Sequence, residues 1–527
     1  MDGLQQRISD VGCEQEMMKT MKRWSRLRTM CAAVAMTAGC AVVQAGQTTA
    51  LQARPDYEAY GARLTAPPAD PVIAAALQQI SSSRIEKTIS TLVGFGTRST
   101  LSSMETDLPP GQGVTAAADW IYGQFEAISQ QCGGCLEVKR DTFVQPVSSR
   151  VARPTTITNV YAILRGSEAK GPIFLVTGHY DSRDSGNEDD HGAAPGANDD
   201  ASGVAVSLES ARVLSQASRK AHWPGTLVFA AVAGEEQGLY GSTHLAKLVS
   251  SEGWNLAGVL NDDIVGGNTT PGDALQRKDA VRVFSEGVPA TADPMQARRI
   301  RALGLMEDAP SRQLARAMAE AAKTYLSGLH GTPRFTVFLV ARPDRYLRGG
   351  DHMSFNAQGF AAVRVTEWRE DFNHQHQDVR VENGVQYGDL LKFVDFHYVA
   401  NVARVNAATL ATLAAAPSAP RGLRIHAERL ENGTTLSWDA PEPQPAGTFH
   451  YELVWRVTDA ADWQFGKAEA TPADPAAPVM VTVPVSKDNV IFGVRTVDAA
   501  GHTSLVTTVA VPAGTGNAAK HPWESAK

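Results

Sequence analysis

Cysteine is scarce in this chain of 527 residues: there are five, and three of them (Cys13, Cys31 and Cys40) fall within the first forty positions. Only Cys132 and Cys135, in Cys-Gly-Gly-Cys, lie further on. No second pair exists to complete a zinc ribbon, so a small disulfide loop turning on the two glycines is expected in an oxidising compartment. An excess of one charge is missing as well. Against 49 Lys and Arg stand 56 Asp and Glu, a net charge of −7, which leaves no basic stripe for nucleic acid and no polybasic patch for a membrane surface. Long apolar runs are absent too: the best, Thr29 to Val43, is too short to span a bilayer comfortably. No internal repeat is visible, and the hydrophobic content of 43% is that of an ordinary globular protein.

What is present begins with an address. Lys19, Lys22, Arg23, Arg26 and Arg28 precede the short apolar run, and Val43-Gln44-Ala45 offers a small-residue cleavage site before Gly46. Residues 1–45 are read as an export signal and the protein as secreted or periplasmic. Residues 1–16 are an odd start for a signal and are read as an upstream extension, with initiation at Met17, Met18 or Met21 more natural. Thr37-Ala38-Gly39-Cys40 resembles a lipobox, so a lipid anchor on Cys40 is a second processing option. Residues 46–70, polar and rich in Pro and Ala, are expected to form a poorly ordered leader.

Residues 71–413 carry alternating helical and strand patterns. A helical stretch covers Ile73 to Leu92, and Trp120, Ile121, Phe125 and Ile128 recur at helical spacing. Strand-like runs follow at Ile157 to Leu164, Ile173 to Thr177, Leu227 to Val232, Val259 to Ile264 and Ala361 to Val365. Ile173-Phe174-Leu175-Val176 and Leu227 to Val232 are almost continuously apolar, as central strands covered on both faces are. Val204, Leu208, Ala211 and Leu214 between them share one helix face. The alternation predicts a three-layer αβα sandwich with a mixed, mostly parallel central sheet. Residues 414–420 (Ala-Ala-Ala-Pro-Ser-Ala-Pro) read as a linker. Residues 421–513 then hold short alternating runs separated by turn residues, the pattern of a small all-β sandwich. Residues 514–527 read as a loose tail.

Five stretches rich in metal-binding side chains sit at or just after the ends of these strands: Gly178-His179-Tyr180-Asp181-Ser182, Asn198-Asp199-Asp200-Ala201-Ser202-Gly203, Gly234-Glu235-Glu236-Gln237-Gly238, Leu260-Asn261-Asp262-Asp263-Ile264 and Asn373-His374-Gln375-His376-Gln377-Asp378. In open α/β sheets, sites form outside the carboxyl ends of strands, so one crevice would gather them all. Imidazole and carboxylate are ligands that zinc accepts. Asp181 stands two residues past His179, placed to orient its ring. Adjacent acids such as Glu235-Glu236 divide roles in zinc hydrolases, one ligating and one moving a proton. Two histidines and three carboxylates are too many for one catalytic zinc with an open position and suit two metals sharing an acid. Glu188-Asp189-Asp190-His191 is read as a solvated loop.

In this order and spacing the stretches resemble the dizinc metallopeptidase family of secreted bacterial leucyl aminopeptidases, glutamate carboxypeptidase and glutaminyl cyclase, over about residues 80–412. The resemblance implies an exported aminopeptidase holding two Zn2+ ions and hydrolysing residues from peptide or protein N-termini, as a monomer. Asp199 would be the bridging carboxylate, with His179 and Asp263 completing one metal and Glu236 and His374 the other. Glu235 would be the general base towards a metal-bridged hydroxide. The peptide between the residues matching Asp199 and Asp200 is cis in the family. Two positions depart from the pattern. Asp262 stands where an apolar residue is usual, and Asp263 is chosen because Ile264-Val265-Gly266 keeps the frame. His374 is chosen over His376 because it lies four residues before Asp378. The last domain, through Thr434 to Trp438, Tyr451 to Arg456 and Gly493 to Asp498, resembles fibronectin type III. The alternatives are a carboxypeptidase of the family, for which Arg183, Arg348 and Arg364 are candidate carboxylate holders, or a catalytically dead binding protein. Glutaminyl cyclisation fits less well, because that branch works with one metal.

Overall fold

Apolar runs that alternate in the direction they face leave a sheet with two dry sides, and a computed structural model of the protein has that architecture. It describes residues 54–328, 333–428, 431–474 and 476–509. The export signal with its upstream extension, residues 46–53 of the leader and the tail lie outside the described residues. Eight strands form the central sheet: β1 (Leu136–Gln145), β2 (Thr155–Leu164), β3 (Ile173–His179), β4 (Thr226–Val232), β5 (Leu256–Asp262), β6 (Ala280–Ser285), β7 (Thr336–Val340) and β8 (Ala362–Thr366). Their order is β1-β2-β4-β3-β5-β8-β6-β7. The four parallel pairings are β4 with β3, β3 with β5, β5 with β8 and β6 with β7; the other three are antiparallel. The sheet is mixed and mostly parallel.

The period-2 pattern of β2 divides its side chains between two cores: Val160, Ala162 and Leu164 face one, Tyr161 and Ile163 the other. The first core is roofed by six helices: α1 (Pro71–Gln78), α2 (Ser82–Val93), α3 (Gly113–Gln131), α4 (Ala201–Ala221), α6 (Pro310–Tyr325) and α7 (Phe396–Ala415). The second is covered by α5 (Tyr240–Ser251) and a short turn of helix at His352–Asn356. The single early helix expected from the sequence is two, because Ser81 accepts from the Arg84 amide and caps a new start. Helix α7 runs through Ala415, so the expected linker at 414–420 begins two residues late; Ala414 and Ala415 are buried in the core. Among the described residues no helix is long and apolar enough to cross a membrane. A disulfide joins Cys132 and Cys135 across Gly133 and Gly134, both with positive φ.

Beyond α7 two antiparallel sheets face each other. One has the strands Arg421–His426, Thr434–Asp439 and Val479–Val483; the other pairs Phe465–Glu469, Phe449–Val457, Val490–Asp498 and Thr507–Thr508. Trp438, Tyr451, Trp455, Leu453 and Phe492 fill the space between them. The leader differs from expectation. Its described part is ordered into a turn of helix at Asp56–Ala59 and a two-residue strand, Ala62–Arg63, that extends the larger sheet by pairing with Phe465 and Gly466. Trp455 Nε1 donates to the Tyr57 carbonyl at 2.9 Å, and Gly61 packs against the same indole ring with no room for a Cβ. The described residues, from Arg54 to Val509, form one compact unit. Arg316 Nε bonds the Ala461 carbonyl at 3.0 Å and Lys323 pairs with Asp462, tying α6 to the sandwich.

Candidate metal centre

The carboxyl ends of β3, β4 and β5 lie side by side, and the turns that leave them carry the acids. His179 is the last residue of β3 and is 1% exposed. Its Nδ1 faces the Asp181 carbonyl at 3.1 Å and Asp181 Oδ1 at 3.4 Å. That contact turns the other ring nitrogen, Nε2, toward Asp199 Oδ1 at 3.1 Å and Asp263 Oδ1 at 3.8 Å. Asp181 is itself held by Thr100 Oγ1 at 2.9 Å and by the Glu236 amide at 3.2 Å.

Asp199 and Asp200 are joined by a cis peptide bond and their side chains part. Asp200 Oδ1 accepts from the Gly203 amide at 2.9 Å and caps α4, while Oδ2 accepts from the His179 amide at 3.0 Å. Gly203 permits this: a Cβ there would lie 2.2 Å from the Asp262 carbonyl oxygen. Asp199 instead points into the crevice. Its own amide and that of Asn198 donate to the buried Asp389, at 2.7 and 2.9 Å.

Beyond β4, Gly234 takes a positive φ and starts the short helix Glu235–Gly238. Glu236 is 4% exposed, with Oε1 3.1 Å from His376 Nε2. Glu235 is half-buried, and burial pushes its carboxyl well above the usual range, with the charges of Asp263, Glu236 and Asp351 adding to the effect. Past β5 the two acids part. Asp263 faces His179 and binds Arg364 Nη1 at 2.5 Å, whereas Asp262 is buried against Asn406 Nδ2 at 2.8 Å. Burial works to raise Asp263, yet the Arg364 cation and His179 hold it below the usual carboxylate range.

The late histidine is a correction. His374 does not reach the cluster: its ring stacks on Phe393 with centroids 3.6 Å apart, and its Nδ1 lies 3.7 Å from Asp371. His376 takes the place, with Nε2 2.9 Å from Asp199 Oδ2 and 3.1 Å from Glu236 Oε1. The reason is backbone: His376 adopts φ of 53°, which turns its side chain out of the run and into the crevice. Counting back from Asp378 could not register that turn, and Asp378 is engaged elsewhere, accepting from Ser185 Oγ at 2.6 Å.

Two ligand sets result: His179, Asp199 and Asp263, then Asp199, Glu236 and His376, each with its donor atoms within 4.8 Å of one another and with Asp199 common to both. Their chemistry fits a pair of cations. His179 Nε2 and Glu236 Oε1 are buried and have close neighbours, Asp199 Oδ1 and His376 Nε2 at 3.1 Å, but no well-aligned hydrogen bond, a costly state for a polar atom unless an ion takes up its lone pair. Burial alone would lower both imidazoles, but the surrounding carboxylates raise His179 well above its ordinary value and His376 to about 10; a divalent cation supplies the same charge that those protons supply. Asp351 is wholly buried nearby, and burial pushes its carboxyl up to about 7. Three further residues complete the surroundings: Arg364, named from the sequence only as a candidate carboxylate holder, Gln375, inside the last stretch but given no role there, and Asp389, in none of the stretches.

Fold and crevice together define an α/β protein built to hold metal at the carboxyl edge of its sheet. Residues 159–386 match the model of "Peptidase family M28". Over 438 residues the chain is 43% identical to a "Probable zinc metalloprotease" of Leptosphaeria maculans, covering 83% of this chain and 96% of that one. It is 42% identical over 444 residues to one of Pyricularia oryzae, covering 83% and 84%. The LapA aminopeptidase of Legionella pneumophila aligns over 65% of this chain and 74% of its own, at 19% identity and a TM-score of 0.45. The chain belongs to peptidase family M28 and is a zinc metallopeptidase. These two sequence relatives are fungal, whereas the resemblance pointed to bacterial enzymes.

Proposed function

We propose that the protein is an exported aminopeptidase that holds two zinc ions and removes residues from the N-termini of peptides. His179, Asp199 and Asp263 would hold one ion, and Asp199, Glu236 and His376 the other. When bound, zinc supplies Lewis acidity, polarising a carbonyl and making water a stronger acid. The chain's own part is proton transfer and orientation. Glu235, beside both ligand sets and shared by neither, takes a proton from the attacking water and returns it to the leaving amine. Asp181 holds His179 in the tautomer that presents Nε2, and Arg364 keeps Asp263 ionised.

The observation that carries the choice of terminus is that the candidate carboxylate holders are taken up by other groups. The arginines that a carboxypeptidase would use are already engaged: Arg364 on Asp263, Arg348 on the Gln375 amide oxygen at 3.2 Å and Arg183 beside Glu236 at 3.5 Å. Zinc-loaded protein is expected to hydrolyse aminoacyl substrates and free-N-terminal peptides and to leave N-blocked peptides intact. Cleavage of N-blocked, C-terminally free peptides would favour the carboxypeptidase reading, and cleavage of neither would favour a binding protein. Export rests on the reading of residues 1–45, and mass spectrometry of the N-terminus of secreted material tests it. The strand arrangement of the C-terminal sandwich, three facing four, supports its reading as fibronectin type III-like.

A further inference from the structure

Gln375 stands between the two histidines of the late motif, and neither the motif nor the proton-transfer scheme uses it. Its side chain is buried, and its amide lies on the shared carboxylate: Nε2 donates to Asp199 Oδ2 at 2.9 Å. An amide can turn either its NH2 or its oxygen toward a neighbour, and the oxygen would oppose Asp199. The choice is made by Arg348, whose Nη1 donates to Gln375 Oε1 at 3.2 Å. A guanidinium can only donate, so it pairs only with the oxygen end and leaves the NH2 end to Asp199. Arg348 is in turn drawn to Glu370 at 3.8 Å, and Glu370 is anchored by Arg345 at 2.7 Å and Arg282 at 3.2 Å.

We propose that Gln375 is a positioning residue for the metal centre, with Arg348 fixing the orientation of its amide so that a hydrogen-bond donor always faces Asp199 Oδ2. The inference rests on the two-cation reading of the site. Asp199 is the single carboxylate that both ligand sets share, and four contacts fix it: Asp389 takes its backbone amide, His179 lies on Oδ1, and Gln375 and His376 lie on Oδ2. Rotation of that carboxylate would move a donor atom out of both sets at once. Outer partners of metal ligands typically hold 10- to 100-fold in metal affinity. The relay also runs outward. Arg348 belongs to a surface loop whose Tyr346 and Leu347 are strongly exposed, so the position of that loop bears on the shared ligand.

The test is a zinc titration of the full chain against a competing chelator, with the metal alone as probe, for wild type, Gln375→Met, Gln375→Glu and Arg348→Met. A donated hydrogen bond predicts about 10- to 100-fold weaker zinc binding in Gln375→Met, and weaker still in Gln375→Glu, where a carboxylate faces a carboxylate. Simple space filling predicts the reverse order, because Glu matches Gln in shape and Met does not. Gln375→Glu binding as tightly as wild type, or more tightly than Gln375→Met, overturns the proposal. Arg348→Met is expected to weaken zinc in the same direction by a smaller factor, and to add nothing in the Gln375→Met background. Additive losses overturn the orienting role. Should Gln375→Met fail to fold, the partly exposed Arg348 position reads the same relay, and the visible bands of Co2+-substituted protein report whether the ligand geometry has changed. Wild-type protein that binds no zinc overturns the two-cation reading itself, and this inference with it.

Discussion

Alanine substitution at His376 and at His374 separates two readings of one six-residue stretch. In the folded chain His376 Nε2 is within 3.1 Å of both Asp199 and Glu236, so His376→Ala leaves two acids where three ligands stood. Structural zinc sites bind with roughly 10–16 kcal/mol over four ligands, or about 2.5–4 kcal/mol per ligand. At 1.4 kcal/mol per decade, losing one ligand amounts to ~10²- to 10³-fold in affinity for that position. His374→Ala removes instead a ring stacked on Phe393, which costs about 0.5–1.5 kcal/mol beyond lost area. Elemental analysis after dialysis against a moderate chelator should find one zinc in His376→Ala and two in His374→Ala, with a thermal midpoint lowered by a few degrees in the latter. A His374→Ala protein that loses a zinc while His376→Ala keeps both would refute the assignment and restore the ligand that spacing favours.

Glu235→Gln should keep both zinc ions and lose at least ~10² to 10⁴ in kcat, the worth of a positioned general base, whereas Asp199→Ala should empty both positions; stopped assays and elemental analysis distinguish the two. Arg364→Met strands Asp263 as a buried unpaired charge, a loss of about 3–5 kcal/mol in metal-free protein; denaturant melts with and without zinc should show the gap between the two forms widening. Burial raises Asp308 to about 7 against the pull of Arg456 and Arg316, so the native state keeps a proton that the unfolded chain releases near pH 4. Its contribution to stability therefore declines as pH rises from about 4 to 7, by up to about 4 kcal/mol. Asp308→Asn should flatten that part of the urea-midpoint profile, and an unchanged slope would dismiss the group as its source.

Local chemistry made much of this molecule legible. Asp181 orients His179 because the two are two residues apart at a strand end, and Asp200 caps a helix because its neighbours leave amides free there. The unbroken apolar runs at 173–176 and 227–232 became central strands because nothing but a two-sided core can take them. Other features were not legible. The pairing of Ala62–Arg63 with Phe465–Gly466 joins segments some four hundred residues apart, and a two-residue strand carries no periodicity of its own. Arg364 lies inside a strand and reads as an interruption until Asp263 is set beside it.

Sequence alone was enough for a zinc hydrolase and for the layer architecture, since each depends on residue type and short-range period. Tertiary structure decided which of two histidines turns into the crevice, which of two adjacent aspartates faces a cation, and which amide steadies the shared acid. Those choices depend on a single backbone angle or on a partner more than a hundred positions away, and neither leaves a mark on the order of residues.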